Sequence, residues 1–236
     1  MCELFALSAR RPATVTLSLA ELARHGGLTG PHADGWGVSW YEGAGARLLR
    51  EAAPAAQSGL VRFLLNAEIT STAVLCHIRK ATRGDRSLAN TQPFRRELGG
   101  REHIFAHNGD LPEIDALARG ATGRWRPVGE TDSELAFLVL LERLRELWER
   151  SEPPPLEERF EIFAAFARDL ARLGPANFIY SDGDVVFGHG NKRTQAHRNR
   201  VVEPPGLHLL QRRCTEPDVH HDLEGVHILT GKAERR

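Results

Sequence analysis

Short apolar runs cut to strand length by turn signals alternate with longer helical runs, and this alternation limits the fold more than any other feature of the chain. Glu3 to Ala9 reads as a first strand and Thr14 to Arg24 as a helix. Gly35 to Tyr41 and Ala46 to Ala52 flank Glu42-Gly43-Ala44-Gly45, which predicts a hairpin. Leu60, Val61, Leu64 and Leu65 suit one helix face, and Ala73 to Ile78 and Ile104 to His107 are apolar runs of strand length. Thr131-Asp132-Ser133-Glu134 has the spacing of a capping box and opens an apolar run to Trp148. Pro153-Pro154-Pro155 breaks that run. Leu156, Phe160, Phe163, Ala167 and Leu170 then recur at helical spacing as one expected buried face, ended by Gly174-Pro175. Asn177 to Tyr180 and Val185 to Phe187 bracket Ser181-Asp182-Gly183-Asp184, a second hairpin turn. Hairpins alternating with helix pairs predict sheets covered by helices in one α+β domain.

Composition narrows the function classes. With 236 residues the chain can bury a sizeable core, and 31 basic residues balance 31 acidic ones. That balance argues against a dedicated nucleic-acid binder. No apolar run is long enough to cross a membrane. Arg10, Arg11 and Pro12 interrupt any N-terminal signal pattern. Cys2, Cys76 and Cys214 are too few and too scattered for a disulfide framework. A reducing cytoplasm is the expected location, and it keeps a thiol available for chemistry. His220-His221 has no partner ligands at metal-binding spacing and reads as surface loop, so neither metal nor cofactor is expected.

Cys2 gives the chemistry its starting point. Once Met1 is removed, one residue carries both a thiol nucleophile and an α-amine able to take its proton. A small apolar residue in a first strand is the plain structural account of the same cysteine. Polar, glycine-rich signatures sit at the ends of the expected strands, where a rigid scaffold can hold site residues. They are Gly30-Pro31-His32-Ala33-Asp34-Gly35-Trp36-Gly37, His77-Ile78-Arg79-Lys80-Ala81-Thr82, Ala106-His107-Asn108-Gly109-Asp110 and Gly129-Glu130-Thr131-Asp132-Ser133-Glu134. Each alone has a structural account. Asn-Gly is a leading turn pair, Asp132 suits a helix start, Arg79 suits a solvated strand end, and the glycines around Asp34 suit a loop.

Together with Asn90-Thr91-Gln92-Pro93-Phe94, these segments follow one another around Cys2 in an order that resembles the class II glutamine amidotransferases, a family of N-terminal-nucleophile hydrolases. The likeness spans roughly residues 1 to 190 and is nearest the stand-alone bacterial YafJ-type branch. It implies a four-layer αββα sandwich of two mainly antiparallel sheets. By resemblance, Cys2 is the nucleophile, and Asn108 with the backbone N–H of Gly109 forms the oxyanion hole. Arg79 matches the residue that pairs with the α-carboxylate of glutamine, for which a guanidinium fork is suited. Asp132 matches the residue that holds the substrate ammonium, and Thr82 a further glutamine-pocket position. His32, Asp34 and Trp36 shape the pocket. The implied reaction is hydrolysis of glutamine, or of a γ-glutamyl amide of a small molecule, through a Cys2 thioester. A separate ammonia-accepting protein is the implied partner.

Some positions depart from the family pattern. Lys80 stands where many biosynthetic members carry Trp, and Arg83 where some carry His, so a different pocket rim is expected. The pattern fades after about residue 190, and residues 1–236 are read as a single domain with a divergent C-terminal part. No synthase domain is expected to follow the amidotransferase-like region. Asn191 to Arg200 reads as a basic, solvated loop, Leu207 to Leu210 as a late strand, and the C-terminal strands are expected to be shortened or altered. The rival to an enzyme is a module that keeps the pocket for γ-glutamyl binding or regulation and catalyses little.

Overall fold

The computed structural model describes residues 2–121 and 124–191, followed by the backbone of four strands at 195–197, 200–202, 208–212 and 226–230. In chain order the elements are β1 (Glu3–Thr14), α1 (Thr16–His25), β2 (Gly35–Glu42), β3 (Gly45–Glu51), α2 (Gly59–Asn66), β4 (Thr70–Arg79), β5 (Phe94–Leu98) and β6 (Arg101–Gly109). Then come α3 (Ile114–Ala118), α4 (Asp132–Arg150), α5 (Leu156–Leu173), β7 (Ala176–Ser181), β8 (Val186–His189), β9 (Gln195–His197), β10 (Arg200–Val202), β11 (His208–Arg212) and β12 (Val226–Thr230). One sheet has the strand order β11-β12-β1-β4-β2-β3, a second β5-β6-β7-β8, and β9 and β10 form a separate hairpin. Every pairing is antiparallel.

Burial assigns the layers. Side chains alternate across a strand, so each sheet has two faces to cover. From β1 and β4, Phe5, Leu7, Val74, Cys76 and Ile78 pack against Leu19, Leu22, Val61 and Leu64 of α1 and α2. The alternate residues Leu4, Ala6, Ala73 and Leu75 meet Ile104, Ala106 and Ile179 of the other sheet. Phe105, Phe178 and Tyr180, on the far face of that second sheet, join α3, α4 and α5. Helix, sheet, sheet, helix is thus the expected αββα sandwich. Both faces are buried over Leu4–Leu7 of β1 and Ala73–Cys76 of β4, and those stretches read as unbroken apolar runs.

Local chemistry explains most of the boundaries. Both expected hairpins form, as β2–β3 and β7–β8. In the second turn, the Asp182 carboxylate accepts from the N–H groups of Asp184 and Val185, and Gly183 adopts a φ of 86°. Thr131 caps α4, its hydroxyl accepting from Glu134 N at 3.2 Å. The Glu134 carboxylate does not close the box on its cap. It accepts instead from Val128 N and Gly129 N and pairs with Arg96.

The structure corrects three expectations. The first strand continues through Arg10-Arg11-Pro12, with a register irregularity between Ser8 and Ala13 that accommodates the proline. Leu156 and Phe160 do not belong to the buried face of α5, being 45% and 57% exposed. The inward position of that first turn belongs to Arg159, which donates to Asp182 at 2.8 Å and to Asp184 at 2.7 Å. The stretch read as a solvated loop contains strand β9 and the first residue of its partner β10. The expected late strand forms as β11, and β12 inserts between it and β1. The sheet that carries the N-terminal strand is therefore completed by the C-terminal part of the chain. His220-His221 lies outside the described residues.

Candidate active site

Cys2 immediately precedes β1, an interior strand flanked by β12 and β4. Its place in the alternation with Leu4 and Ala6 directs it into the space between the sheets. Asn108, in alternation with Ile104 and Ala106, enters the same space from β6. The two meet: Cys2 N donates to Asn108 Oδ1 at 3.0 Å. A nitrogen bearing hydrogens must face an acceptor, so this contact fixes which end of the carboxamide is which. The other end, Nδ2, is buried and has no hydrogen-bond partner among the described residues. The Asn108 carbonyl accepts from Asn177 Nδ2 at 3.1 Å, which locks the strand end.

His107-Asn108-Gly109 is therefore the end of a strand, not a turn. The glycine is required by close approach. A Cβ on Gly109 would stand 1.9 Å from the Pro175 carbonyl oxygen and 2.5 Å from His107 Nε2.

Arg79 ends β4 and is 3% exposed. Glu3 pairs with Ile78, so the end of β4 lies beside Cys2. The Arg79 guanidinium donates to the carbonyls of Asp85 (2.9 Å), Arg83 (2.9 Å) and Gly84 (3.2 Å), drawing the following loop around itself. The Lys80 carbonyl lies 3.6 Å from Cys2 Sγ. Asp34 fastens this turn, since its N–H donates to Arg79 O at 3.0 Å and its carboxylate accepts from Ala81 N at 2.8 Å.

Asp132 is the first residue of α4 and is 7% exposed. Its carboxylate accepts from Leu111 N and Ser133 N, both at 2.8 Å. Thr82 is exposed, two residues beyond Lys80, and is not enclosed with the others. The structure thus gathers Cys2, Asn108, Gly109, Arg79 and Asp132 and leaves Thr82 at the rim.

Burial dominates the electrostatics. It pushes the Cys2 thiol above its ordinary value; Arg79 pulls the thiol down and Asp132 pushes it further up. Arg79 and Asp132 therefore both lie within electrostatic reach of the Cys2 thiol. Behind them, His77 is fully buried with neither ring nitrogen hydrogen-bonded among the described residues. Burial, reinforced by the charge of Arg79, holds it down to about 3. Burial also depresses His107, whose Nδ1 lies 2.9 Å from Ser133 Oγ. Neutral imidazoles thus back the site.

The sequence reading missed Asn177 and Ser133. Asn177 sits at a strand start outside every motif, and Ser133 lies within the Gly129–Glu134 signature, which marks a helix start and not a neighbour of His107.

A family model for class II glutamine amidotransferases matches residues 1–224. The chain belongs to that family. Among relatives of this chain, the Escherichia coli K12 protein named "Putative glutamine amidotransferase YafJ" is 42% identical over 189 residues, 80% of this chain and 72% of that protein. A Haemophilus influenzae protein named "Putative glutamine amidotransferase" is 35% identical over 189 residues, covering 80% of this chain and 63% of its own length. The crystal structure of a predicted glutamine amidotransferase from Pseudomonas aeruginosa superposes with a TM-score of 0.59 at 32% identity, covering 99% of this chain and 85% of that one. The glutamine phosphoribosylpyrophosphate amidotransferase of Bacillus subtilis shares the fold at 15% identity, with a TM-score of 0.57 over 98% of this chain and 42% of that one. Among the described residues, no helix is long and apolar enough to cross a membrane.

Proposed function

We propose that this amidotransferase hydrolyses the γ-amide of glutamine, or a γ-glutamyl amide of a small molecule, through a thioester on Cys2. The observation that carries the reading is the Asn108 carboxamide. Its oxygen is held by the Cys2 nitrogen, and its N–H₂ end is buried and unspent. A buried donor without a partner costs about 1–3 kcal/mol. It is an expensive feature unless a negative oxygen arrives to use it, and an oxyanion formed beside Cys2 would do so. The rival reading, a pocket that binds without catalysis, gives that donor no purpose.

The steps follow from the groups present. Removal of Met1 frees the Cys2 α-amine, which takes the thiol proton. A thiol raised by burial needs such a local base. Sulfur attacks the γ-carbonyl carbon, and the carbonyl oxygen takes up negative charge against Asn108 Nδ2 and Gly109 N–H. The α-ammonium then passes its proton to the leaving nitrogen, the C–N bond breaks, and ammonia or an amine departs. Water attacks the thioester, giving up one proton to the α-amine, and the C–S bond breaks to release glutamate and restore the thiol. Arg79 faces the α-carboxylate and Asp132 the α-ammonium of the γ-glutamyl end. Ammonia so formed would pass to a separate acceptor protein, and a reducing cytoplasm would keep the thiol active.

The test is an activity panel of glutamine and γ-glutamyl amides on protein whose N-terminal residue is verified as cysteine. Release of glutamate is the expected result. Protein that keeps Met1, or that binds these compounds without turnover, would favour the binding module.

A further inference from the structure

The segment Asn90-Thr91-Gln92 lies between the two halves of the site and is almost wholly enclosed, at 2%, 0% and 4% exposure. Three consecutive polar side chains at that depth need a reason, because buried polar groups are costly unless satisfied. All three are satisfied, Asn90 and Gln92 on different parts of the site and Thr91 on the segment's own loop.

Asn90 faces the anchors. Its Nδ2 donates to the Asp85 carbonyl at 3.1 Å, the same oxygen that Arg79 Nη1 reaches at 2.9 Å. Its Oδ1 accepts from Glu130 N at 2.8 Å, two residues before Asp132. Both loops make room for the carboxamide with glycine. A Cβ on Gly84 would come within 2.8 Å of Asn90 Nδ2, and one on Gly129 within 2.3 Å of Asn90 Oδ1. One side chain thereby sets the separation of the loop that wraps Arg79 from the loop that delivers Asp132.

Gln92 faces the oxyanion side. Its Oε1 accepts from His107 N at 2.6 Å and its Nε2 donates to His107 O at 3.1 Å. Both main-chain groups of the residue preceding Asn108 are thus held by one carboxamide. Thr91 secures the middle, its hydroxyl donating to Ser87 O at 2.8 Å.

We infer that Asn90 and Gln92 are positioning residues with separate duties: Asn90 fixes the spacing of the Arg79–Asp132 pair that grips the γ-glutamyl zwitterion, and Gln92 fixes the Asn108–Gly109 donors that meet the oxyanion. The inference rests on the proposed hydrolase reading. Gripping the zwitterion acts alike in ground and transition states and shows in KM, whereas oxyanion donors act in the transition state and show in kcat. The His107 ring, through Ser133, is a weaker link between the halves.

The experiment compares Asn90→Ala and Gln92→Ala in steady-state hydrolysis of glutamine, with thermal melting of each protein. Asn90→Ala should raise KM at least about tenfold and leave kcat within about threefold. Gln92→Ala should lower kcat by about 10²-fold, the scale for a displacement near 1 Å in an active site, and leave KM within about threefold. If an alanine variant does not fold, Asn90→Asp and Gln92→Glu replace it. Each keeps the acceptor and removes the donor, so the same division should appear at reduced size. Two variants that move KM and kcat together, that exchange roles, or that match wild type would overturn the inference. Calorimetric binding of glutamate distinguishes this from failure of the hydrolase reading. Wild-type protein that binds glutamate but hydrolyses nothing sinks the hydrolase reading and the Gln92 duty with it. The Asn90 duty is then decided by affinity, which should fall at least about tenfold in Asn90→Ala and stay within about threefold in Gln92→Ala; any other pattern overturns it.

Discussion

Asn108→Asp isolates the oxyanion donor better than truncation does. The replacement is nearly isosteric. One carboxylate oxygen keeps the 3.0 Å contact with Cys2 N, and its charge also favours the protonated α-amine, which weakens the base and adds to the loss of rate. The second oxygen takes the place of Nδ2, the buried group with no partner. What is lost is therefore a hydrogen bond that exists only when negative charge develops on the substrate. A preorganised donor in a dry site is worth about 2.7–4 kcal/mol to the transition state, which converts to about 10²–10³-fold in kcat. Repulsion between the new carboxylate and the oxyanion adds to that loss. KM should change little, because Arg79 and Asp132 still hold the γ-glutamyl end. The assay is glutamate release at saturating glutamine on protein with a verified N-terminal cysteine, alongside a melting curve to show that the fold persists. A folded variant with kcat within about threefold of wild type would refute the reasoning, since the unspent amide would then have no part in the reaction.

Cys2→Ala should abolish turnover by about 10³-fold or more with little change in melting temperature, because it removes the nucleophile and little packing; near-normal activity would move the chemistry elsewhere. Arg79→Lys should raise KM for γ-glutamyl substrates more than it lowers kcat, since an ammonium can offer neither a bidentate fork to the substrate nor the three carbonyl contacts that shape the 83–85 loop; unchanged kinetics would remove the carboxylate anchor. Arg159→Met should destabilise the fold by about 3–5 kcal/mol, read by urea unfolding, because it leaves the fully buried Asp182 carboxylate unpaired; a loss under about 1 kcal/mol would mean that water reaches Asp182. Burial holds His77 down to about 3 and His103 to about 4, below the ordinary value of about 6.5. Below pH 6.5 the unfolded chain binds protons that the native one refuses, so stability should fall as pH drops toward 4, by up to about 1.4 kcal/mol per pH unit for each ring. His77→Gln should reduce that slope in urea midpoints measured from pH 4.5 to 7, and an unaltered slope would contradict the assignment.

The sequence was legible where local chemistry decides the outcome. Turn residues announced both hairpins, Thr131 announced the start of α4, and three motif segments sit at strand ends while the fourth opens α4, as expected. It was less legible where tertiary partners decide. β5 (Phe-Arg-Arg-Glu-Leu) carries no strand pattern and exists because it pairs along β6. The helical spacing of Leu156 and Phe160 matched a buried face, yet Arg159 takes the inward position because two aspartates from a distant hairpin await it. In the site, Cys2 and the residues around Asn108 could be singled out from their motifs, but two features depend on contacts between segments far apart in the chain. One is the free amide end of Asn108, visible only once Cys2 N is seen to occupy the other end. The other is the Asn90–Gln92 strap, whose three long-range hydrogen bonds have no signature in spacing.

Covalent trapping of the nucleophile tests the central claim most directly. The protein is treated with an electrophilic glutamine analogue that alkylates thiols at the γ-position, and the adduct is located by peptide mass spectrometry while glutaminase activity is followed. The account predicts one equivalent of label on a peptide that begins with Cys2 and lacks Met1, with loss of activity in proportion to labelling and protection by glutamine. Label on Cys76 or Cys214, or full activity in protein labelled at Cys2, would contradict it.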